Sequence, residues 1–195
     1  MARKVFNIPN MLCLYRVAVI PVMAWLFTID TASAAWTNVF LFTLAGLTDF
    51  LDGIIARALN QTTLLGKFLD SSTDKMLIGV TLFMLVAFDR IDGFWTVMAV
   101  IIFLREIFIS GVREFMALYN VSIGVSQLAK WKTTIQMLAI GFLIAGPYGE
   151  MLIPYAPEIG RGIFLIATVI TVMSGWDYAR QAWKNIQRIE SEKKL

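Results

Sequence analysis

The sequence predicts an all-α, polytopic integral membrane protein with six transmembrane helices and an N-terminal cytoplasmic amphipathic segment. Its 195 residues are 58% hydrophobic, and the mean hydropathy of +0.70 is typical of a chain with several membrane helices rather than of a soluble domain. The apolar residues are concentrated in six stretches, each near the roughly 20 residues that a helix needs to cross a bilayer. Lys and Arg gather at every second end of these stretches, as is typical of the cytoplasmic ends of a multi-pass protein.

The length suits a single domain spanning 1–195, and the elements follow in order. Residues 1–10 contain Arg3, Lys4 and Pro9, which suit a segment on the cytoplasmic membrane surface that leads into the first helix. Pro21 is expected to kink that helix. The predicted spans are 11–29, 36–57, 67–88, 94–118, 132–149 and 160–179, followed by a charged cytoplasmic tail at 181–195.

The basic residues predict that both chain ends and the connection between the second and third spans are cytoplasmic. These alternate ends carry Arg3 and Lys4, Arg57 and Lys67, Lys130 and Lys132, and then Arg180, Lys184, Arg188, Lys193 and Lys194. The net charge of only +3 argues against nucleic acid as a partner. A single cysteine, Cys13, excludes an intramolecular disulfide, and the absence of His leaves acid–base chemistry to carboxylates, Lys or Tyr.

Acidic residues occur at matched spacing from Asp49 to Asp74, where the sequence is DFLDGIIARALNQTTLLGKFLDSSTD. Asp49 and Asp52 on one helix, and Asp70 and Asp74 on the next, are three or four residues apart, so each pair occupies one helix face. The short polar connection predicts a tight hairpin, 36–88, with all four carboxylates near its cytoplasmic end. Carboxylates this close in apolar surroundings need protons or cations to compensate them.

The chemistry of this cluster indicates a divalent cation site. Oxygen ligands without His or Cys suit Mg²⁺ or Mn²⁺, and also Ca²⁺, better than zinc, and two ions about 3.5–4 Å apart would clamp both oxygens of a phosphoryl displacement. Gly53 and Gly66 leave room for a bulky group such as a nucleotide, and the forked guanidinium of Arg57 suits a phosphate. The alternative is a polar hairpin that stabilises a helix bundle or lines an ion path.

Three further cations lie inside or beside the apolar stretches. Arg16 interrupts the first span, and it either snorkels to the interface or points into the polar site. Lys130 and Lys132 meet the membrane surface, either as cytoplasmic anchors or as part of a binding pocket.

The fourth span contains two arginines and two glutamates. Arg105 and Arg113 are eight residues apart and therefore lie on roughly one side of the helix. Glu106 and Glu114 repeat at the same interval and could form internal ion pairs with them. The other interpretation is that the arginines belong to a pocket for a phosphorylated acceptor.

The eight spaced positions of the acidic stretch resemble the signature of the CDP-alcohol phosphotransferases, membrane enzymes that make phospholipids from CDP-activated lipids. They are Asp49, Asp52, Gly53, Ala56, Arg57, Gly66, Asp70 and Asp74. The resemblance implies that divalent cations are bound by Asp49, Asp52, Asp70 and Asp74, with Asp74 also the catalytic base. It implies that CDP is bound by Asp52, Gly53, Ala56, Arg57 and Gly66, and that the phosphate of the acceptor is bound by Arg105, Arg113, Lys130 and Lys132.

Flanking residues resemble the bacterial members of this family that make phosphatidylglycerophosphate. They are Asn7-Ile8-Pro9-Asn10, Arg105-Glu106-Ile107 with Arg113-Glu114, and Ser126 with Ala129-Lys130 and Lys132-Thr133. The likeness implies transfer of the phosphatidyl group of CDP-diacylglycerol to sn-glycerol 3-phosphate with release of CMP, by a homodimer in the bacterial inner membrane. One stretch, 70–75, reads DSSTDK where the family pattern is Asp-Pro-Xaa-Ala-Asp-Lys. The carboxylate spacing survives, while the local helix start is expected to differ.

Two alternative functions are compatible with the same residues. A cardiolipin synthase of this family would use the same chemistry with phosphatidylglycerol as acceptor, although Arg105, Arg113 and Lys130 favour a small phosphorylated alcohol. A cation transporter would use the Asp cluster as its ion site. Transporters often carry internal repeats with paired broken helices, and none is evident in this sequence.

Overall fold

The computed structural model describes residues 8–58, 63–119, 121, 124 and 127–192, with the side chains of 8, 9, 50–58, 64, 65, 67, 127–130 and 192 outside the description. The described residues form six α-helices: α1 (Ile8–Phe27), α2 (Ala32–Ala58), α3 (Leu64–Ala87), α4 (Gly93–Leu118), α5 (Gln127–Ala145) and α6 (Ala156–Glu192). A short 3-10 helix, Gly146–Met151, joins α5 to α6. Each helix coincides with one predicted apolar stretch, which confirms the all-α class.

The local sequence explains where several helices begin. Thr63 precedes α3, and its side-chain oxygen accepts a hydrogen bond from the backbone N–H of Gly66 at 2.9 Å, which is a standard N-cap. The helix therefore starts well before the unusual residues at 71–73, so the departure from the family pattern lies inside α3 rather than at its start. Pro21 also lies inside a helix, since α1 continues across it.

α1 lies between α2 and α3 and packs extensively on both of them. Among the described residues, α2 and α3 make no comparable contact with each other. The side of α1 that faces the bundle is buried at Cys13, Val19, Met23 and Phe27. Within the described residues, the two helices of the predicted hairpin are therefore linked mainly by their contacts with α1, and the connection at 59–62 lies outside the description.

α4, α5 and α6 complete the bundle. α6 packs on α4 and α5, while α2 also packs on α5 and α3 on α4. The largest buried apolar side chains are Phe42, Leu85, Ile91, Ile102, Met116, Ile140, Leu143, Ile144 and Phe164. The tail predicted from residue 181 is the helical continuation of α6 as far as Glu192, and Ala182 within it is buried.

The outer surface of the bundle is strongly apolar, which identifies a membrane protein. On α4 alone, Phe94, Leu104 and Phe108 are each about 60% exposed or more, a pattern that soluble monomers avoid. Within the described residues, three helices are long and apolar enough to cross a membrane: Asn10–Phe27, Gly93–Leu118 and Ala156–Ser191. The six-span arrangement stays a prediction.

Arg90 links the connections between helices at the end of the bundle away from the Asp cluster. Its Nη2 lies 3.6 Å from Asp30 Oδ1, and its guanidinium carbon is 5.7 Å from the centroid of the Tyr148 ring. The Tyr148 hydroxyl donates to the same Asp30 oxygen at 3.0 Å. Gly146 has φ of +51°, and a Cβ there would lie 2.6 Å from Arg90 Nη1, so glycine allows both the turn and the close approach of the arginine.

Candidate active site

Arg16 of α1 joins two carboxylates that belong to different helices. Its Nη1 donates to Asp49 Oδ1 of α2, and its Nη2 donates to Asp70 Oδ1 of α3 at 3.1 Å. The side chain of Arg16 is fully buried, whereas those of Asp49 and Asp70 are 37% and 51% exposed. A buried guanidinium requires ionic or hydrogen-bonding partners, and the two carboxylates supply them. Arg16 therefore points into the polar site, and the alternative that it snorkels to the interface is wrong.

The first turn of α3 is fitted closely against α1. Asn10 is buried, and its Nδ2 donates to Thr63 Oγ1 at 3.3 Å. A Cβ on Gly66 would lie 2.5 Å from Asn10 Oδ1 and 2.9 Å from Thr63 Oγ1. The space beside Gly66, which the sequence suggested for a nucleotide, accommodates Asn10. Gly66 thereby fixes the depth at which α3 presents Asp70 to Arg16.

Asp74 lies one helical turn beyond Asp70 on α3 and remains accessible from outside the bundle. It is within electrostatic range of Asp49, Arg16, Glu106 and Lys132. Three of the four predicted acidic residues are thus brought together, because α1 holds α2 and α3 at matched depth.

Two of the predicted acceptor-binding cations, Arg105 and Lys132, meet at the same carboxylate. Lys132 of α5 forms a salt bridge with Glu106 of α4. Arg105 lies 3.5 Å from the same carboxylate, and its Nη2 donates to Ser174 Oγ of α6 at 3.1 Å. Lys132 and Arg105 are also within electrostatic range of each other.

Arg113 faces α6 two turns further along α4. Its guanidinium carbon is 5.9 Å from the centroid of the Tyr178 ring, which is a cation–π distance. Its charge is within electrostatic range of Arg105. The two arginines therefore lie on one side of α4, as their spacing predicted.

The two glutamates of α4 have different partners. Glu106 pairs with Arg105 as the internal-pair interpretation predicted. Glu114 instead approaches Ser71 Oγ at 3.5 Å and Lys75 Nζ at 4.0 Å, both on α3. The predicted internal pairing is therefore correct for the first pair and wrong for the second.

Several predicted site residues lie outside the described side chains. They are Asp52, Gly53, Ala56, Arg57 and Lys130. The backbone places 52, 53, 56 and 57 on the last two turns of α2 and 130 on the first turn of α5. Their roles in binding a cation, CDP or an acceptor stay predictions.

The donors present suit a hard divalent cation. Within the described part of the chain, no group of three His, Cys, Asp or Glu side chains forms a ready metal site; the side chain of Asp52 lies outside that part. Asp49 and Asp70 nevertheless converge on one positively charged group. All-oxygen donors of this type are those that Mg²⁺ and Mn²⁺ prefer.

Comparison with known proteins identifies the family. The sequence model described as CDP-alcohol phosphatidyltransferase matches residues 6–174. The chain belongs to the CDP-alcohol phosphatidyltransferase family. This match extends from α1 into α6, so it includes Arg16, the Asp cluster and the cations of α4 and α5. The chain is accordingly a transferase, as the resemblance implied.

Curated relatives of this CDP-alcohol phosphatidyltransferase are similar over nearly their whole length. A protein of Rickettsia typhi is 42% identical over 172 residues, which cover 88% of this chain and 94% of the relative. A protein of Salmonella typhimurium is 37% identical over 180 residues, covering 91% and 95%. One from Wigglesworthia glossinidia brevipalpis is 35% identical over 185 residues, covering 93% and 98%. All three are named CDP-diacylglycerol--glycerol-3-phosphate 3-phosphatidyltransferase.

Sequence reasoning missed the contacts that position the predicted site residues. Asn10 was part of the family resemblance, but its contact with Thr63 and Gly66 had no visible signal. Glu106 was considered as a partner for Arg105, whereas its salt bridge with Lys132 crosses to another helix. A signal did exist for Arg16, because an arginine inside an apolar run needs an anionic partner at the same depth.

Proposed function

We propose that this CDP-alcohol phosphatidyltransferase transfers the phosphatidyl group of CDP-diacylglycerol to sn-glycerol 3-phosphate, giving phosphatidylglycerophosphate and CMP. Relatives named for this reaction are 35–42% identical to the chain. The observation that carries the proposal is the meeting of Asp49 and Asp70, from two different helices, at one buried guanidinium. In this proposal, the same site would also receive a divalent cation and the diphosphate of the substrate.

In this proposal, Asp49, Asp52, Asp70 and Asp74 would hold Mg²⁺ or Mn²⁺, as two ions. The bound cations would supply positive charge to neutralise the diphosphate and the charge that develops on the leaving CMP. Arg16 holds two of these carboxylates, Asp49 and Asp70, close to each other. CDP would lie against the end of α2, where the helix carries 52, 53, 56 and 57.

Asp74 is the group that we assign to the proton transfer. A hydroxyl of glycerol 3-phosphate attacks the phosphorus that carries the diacylglycerol, the bond from that phosphorus to the CMP oxygen breaks, and CMP leaves. The attacking hydroxyl loses its proton to the Asp74 carboxylate. The Asp74 side chain is exposed, and the sequence contains no His that could take the role.

The acceptor phosphate is assigned to Arg105, Arg113 and the two lysines at 130 and 132. Arg105 lies within electrostatic range of both Arg113 and Lys132, so several positive charges are held close together. Such a group favours a small dianionic phosphate over the single charge of phosphatidylglycerol. This charge arrangement supports the proposal over the cardiolipin synthase alternative.

The membrane arrangement is part of the same proposal. We expect six spans, with both termini and the Asp cluster on the cytoplasmic side of the bacterial inner membrane, because the basic residues mark those ends. The water-soluble head of CDP-diacylglycerol then reaches the site from the cytoplasm while its tails remain in lipid. The family resemblance further implies a homodimer, which would cover part of the exposed apolar surface.

Release of CMP by the purified full-length protein tests the proposal. With CDP-diacylglycerol and Mg²⁺ or Mn²⁺, we expect CMP release with sn-glycerol 3-phosphate and none with phosphatidylglycerol. Release with phosphatidylglycerol alone would support the cardiolipin synthase alternative. No release with any alcohol would overturn the enzymatic assignment, and cation flux into liposomes would then favour the transporter alternative.

A further inference from the structure

Glu106 is a mostly buried carboxylate that contacts two cations predicted to bind the acceptor. It forms a salt bridge with Lys132 of α5 and lies 3.5 Å from Arg105 Nη1 on its own helix. The side chains of Glu106, Lys132 and Arg105 are 17%, 5% and 14% exposed, respectively. Among the described residues, no other carboxylate forms an ion pair with Arg105 or Lys132.

The two cations depend on Glu106 to different degrees. Arg105 has a second anchor, because it donates to Ser174 at 3.1 Å and packs against Gly175, where a Cβ would lie 3.1 Å from Arg105 Cγ. For Lys132, the described ion-pair partner is Glu106. Lysine carries its ammonium on a flexible four-carbon stem, so we expect Lys132 to move when Glu106 loses its charge.

This network also carries an excess of positive charge. One carboxylate serves both Arg105 and Lys132, and the charge of Arg113 adds to that of Arg105. The excess leaves capacity for an anion after Glu106 is satisfied. Glu106 and Lys132 are both within electrostatic range of Asp74, so the position of the ammonium sets where an anion lies relative to that carboxylate.

We propose that Glu106 is a positioning residue, which aims Lys132 at the phosphate of the acceptor without contacting the transferred group. This inference rests on the proposed function, in which the acceptor carries a phosphate. By its charge alone, a carboxylate in a phosphate pocket would repel the ligand. The carboxylate instead fixes the ammonium that the phosphate needs.

Glu114 offers a matched control on the same helix. It lies eight residues beyond Glu106, its side chain is 70% exposed, and it approaches Lys75 Nζ only at 4.0 Å. Glu114→Gln therefore removes the same charge from α4 without releasing a buried cation. An exposed pair of this kind contributes little to stability.

The test compares Glu106→Gln, Glu106→Asp and Glu114→Gln in the CMP-release assay, with KM measured separately for each substrate. A hydrogen bond to a charged group corresponds to roughly 10- to 100-fold in binding. We therefore expect Glu106→Gln to raise KM for glycerol 3-phosphate at least about tenfold, while KM for CDP-diacylglycerol changes less than about twofold. Glu106→Asp keeps the charge and is expected to restore most of the acceptor affinity, and Glu114→Gln should match the wild type.

An unchanged acceptor KM in Glu106→Gln would overturn the inference, as would an equal rise in KM for both substrates or a failure of Glu106→Asp to restore affinity. If Glu106→Gln does not fold, Lys132→Met is compared with the double variant Lys132→Met/Glu106→Gln, because removing both partners of a buried pair is well tolerated. Adding Glu106→Gln to Lys132→Met should change the KM for the acceptor less than about threefold. A larger difference between the single and the double variant would show that Glu106 does not act through Lys132. Wild-type protein that releases no CMP with glycerol 3-phosphate would instead contradict the proposed function.

Discussion

Arg16→Met is the perturbation with the clearest structural expectation. Methionine retains an apolar stem and removes the guanidinium that joins Asp49 to Asp70. Hydrogen bonds to charged groups contribute about 1.5–3 kcal/mol each, but these two carboxylates are 37% and 51% exposed, and solvent weakens the contribution. We expect a loss of roughly 2–4 kcal/mol in the free energy of unfolding, which for a chain of this size lowers Tm by about 4–16 °C.

The same change should make stability depend more strongly on divalent cations. Without the guanidinium, Asp49 and Asp70 repel each other and the neighbouring carboxylates, so a bound Mn²⁺ neutralises a larger excess of negative charge. Mn²⁺ is therefore expected to raise Tm more in Arg16→Met than in the wild type. Binding to the folded state alone produces such a shift by mass action.

The assay is thermal unfolding in detergent, followed by tryptophan fluorescence with and without Mn²⁺. Arg90→Met is the matched control, since Arg90 pairs with Asp30 at 3.6 Å at the other end of the bundle. It should lower Tm without changing the effect of Mn²⁺. The reasoning is refuted if Arg16→Met unfolds at the wild-type temperature, or if Mn²⁺ shifts the two arginine variants equally.

Three further substitutions test the site. Asp74→Asn is expected to slow CMP release at least about 100-fold while binding of CDP-diacylglycerol persists, by the usual size of general-base effects; near-normal turnover would reject Asp74 as the base. Arg113→Ala should raise KM for glycerol 3-phosphate far more than KM for CDP-diacylglycerol, and equal KM changes would leave Arg113 a structural role against α6. Gly66→Ala should lower Tm, because its Cβ would lie 2.5 Å from Asn10 Oδ1, and Gly66→Ala/Asn10→Ala should recover part of the loss; an unchanged Tm in the single variant would show that α1 moves freely.

The sequence was sufficient to locate all six helices, because each is a long apolar run bounded by polar or turn-forming residues. It could not predict that α1 lies between α2 and α3. Neighbours along a chain are expected to pack together, whereas the observed order depends on how the buried side of α1 fits two partners at once. The helical continuation of α6 beyond residue 181 was missed for a different reason, because these residues are too charged for a membrane span but remain good helix formers.

How much of the site could be predicted from the sequence depended on the type of each residue. The spacing of Asp49, Asp70 and Asp74 gave their shared location, because helix geometry converts spacing directly into a face. The partner of Arg16 could not be chosen from sequence, since snorkelling and ion pairing satisfy the same side chain. Gly66 was interpreted as space for a ligand, while the structure uses that space for Asn10. A glycine in a sequence does not indicate which group fills the space beside it.

Binding of Mn²⁺ to the purified protein, measured by electron paramagnetic resonance, tests the central claim that carboxylates of α2 and α3 share a divalent cation. Asp49→Asn and Asp70→Asn should each weaken Mn²⁺ binding at least about tenfold, since even changes around metal ligands cost 10- to 100-fold. Asp177→Asn, on the exposed side of α6, should bind Mn²⁺ as the wild type does. Wild-type Mn²⁺ affinity in either Asp49→Asn or Asp70→Asn would show that the two helices do not hold one ion and would contradict the account.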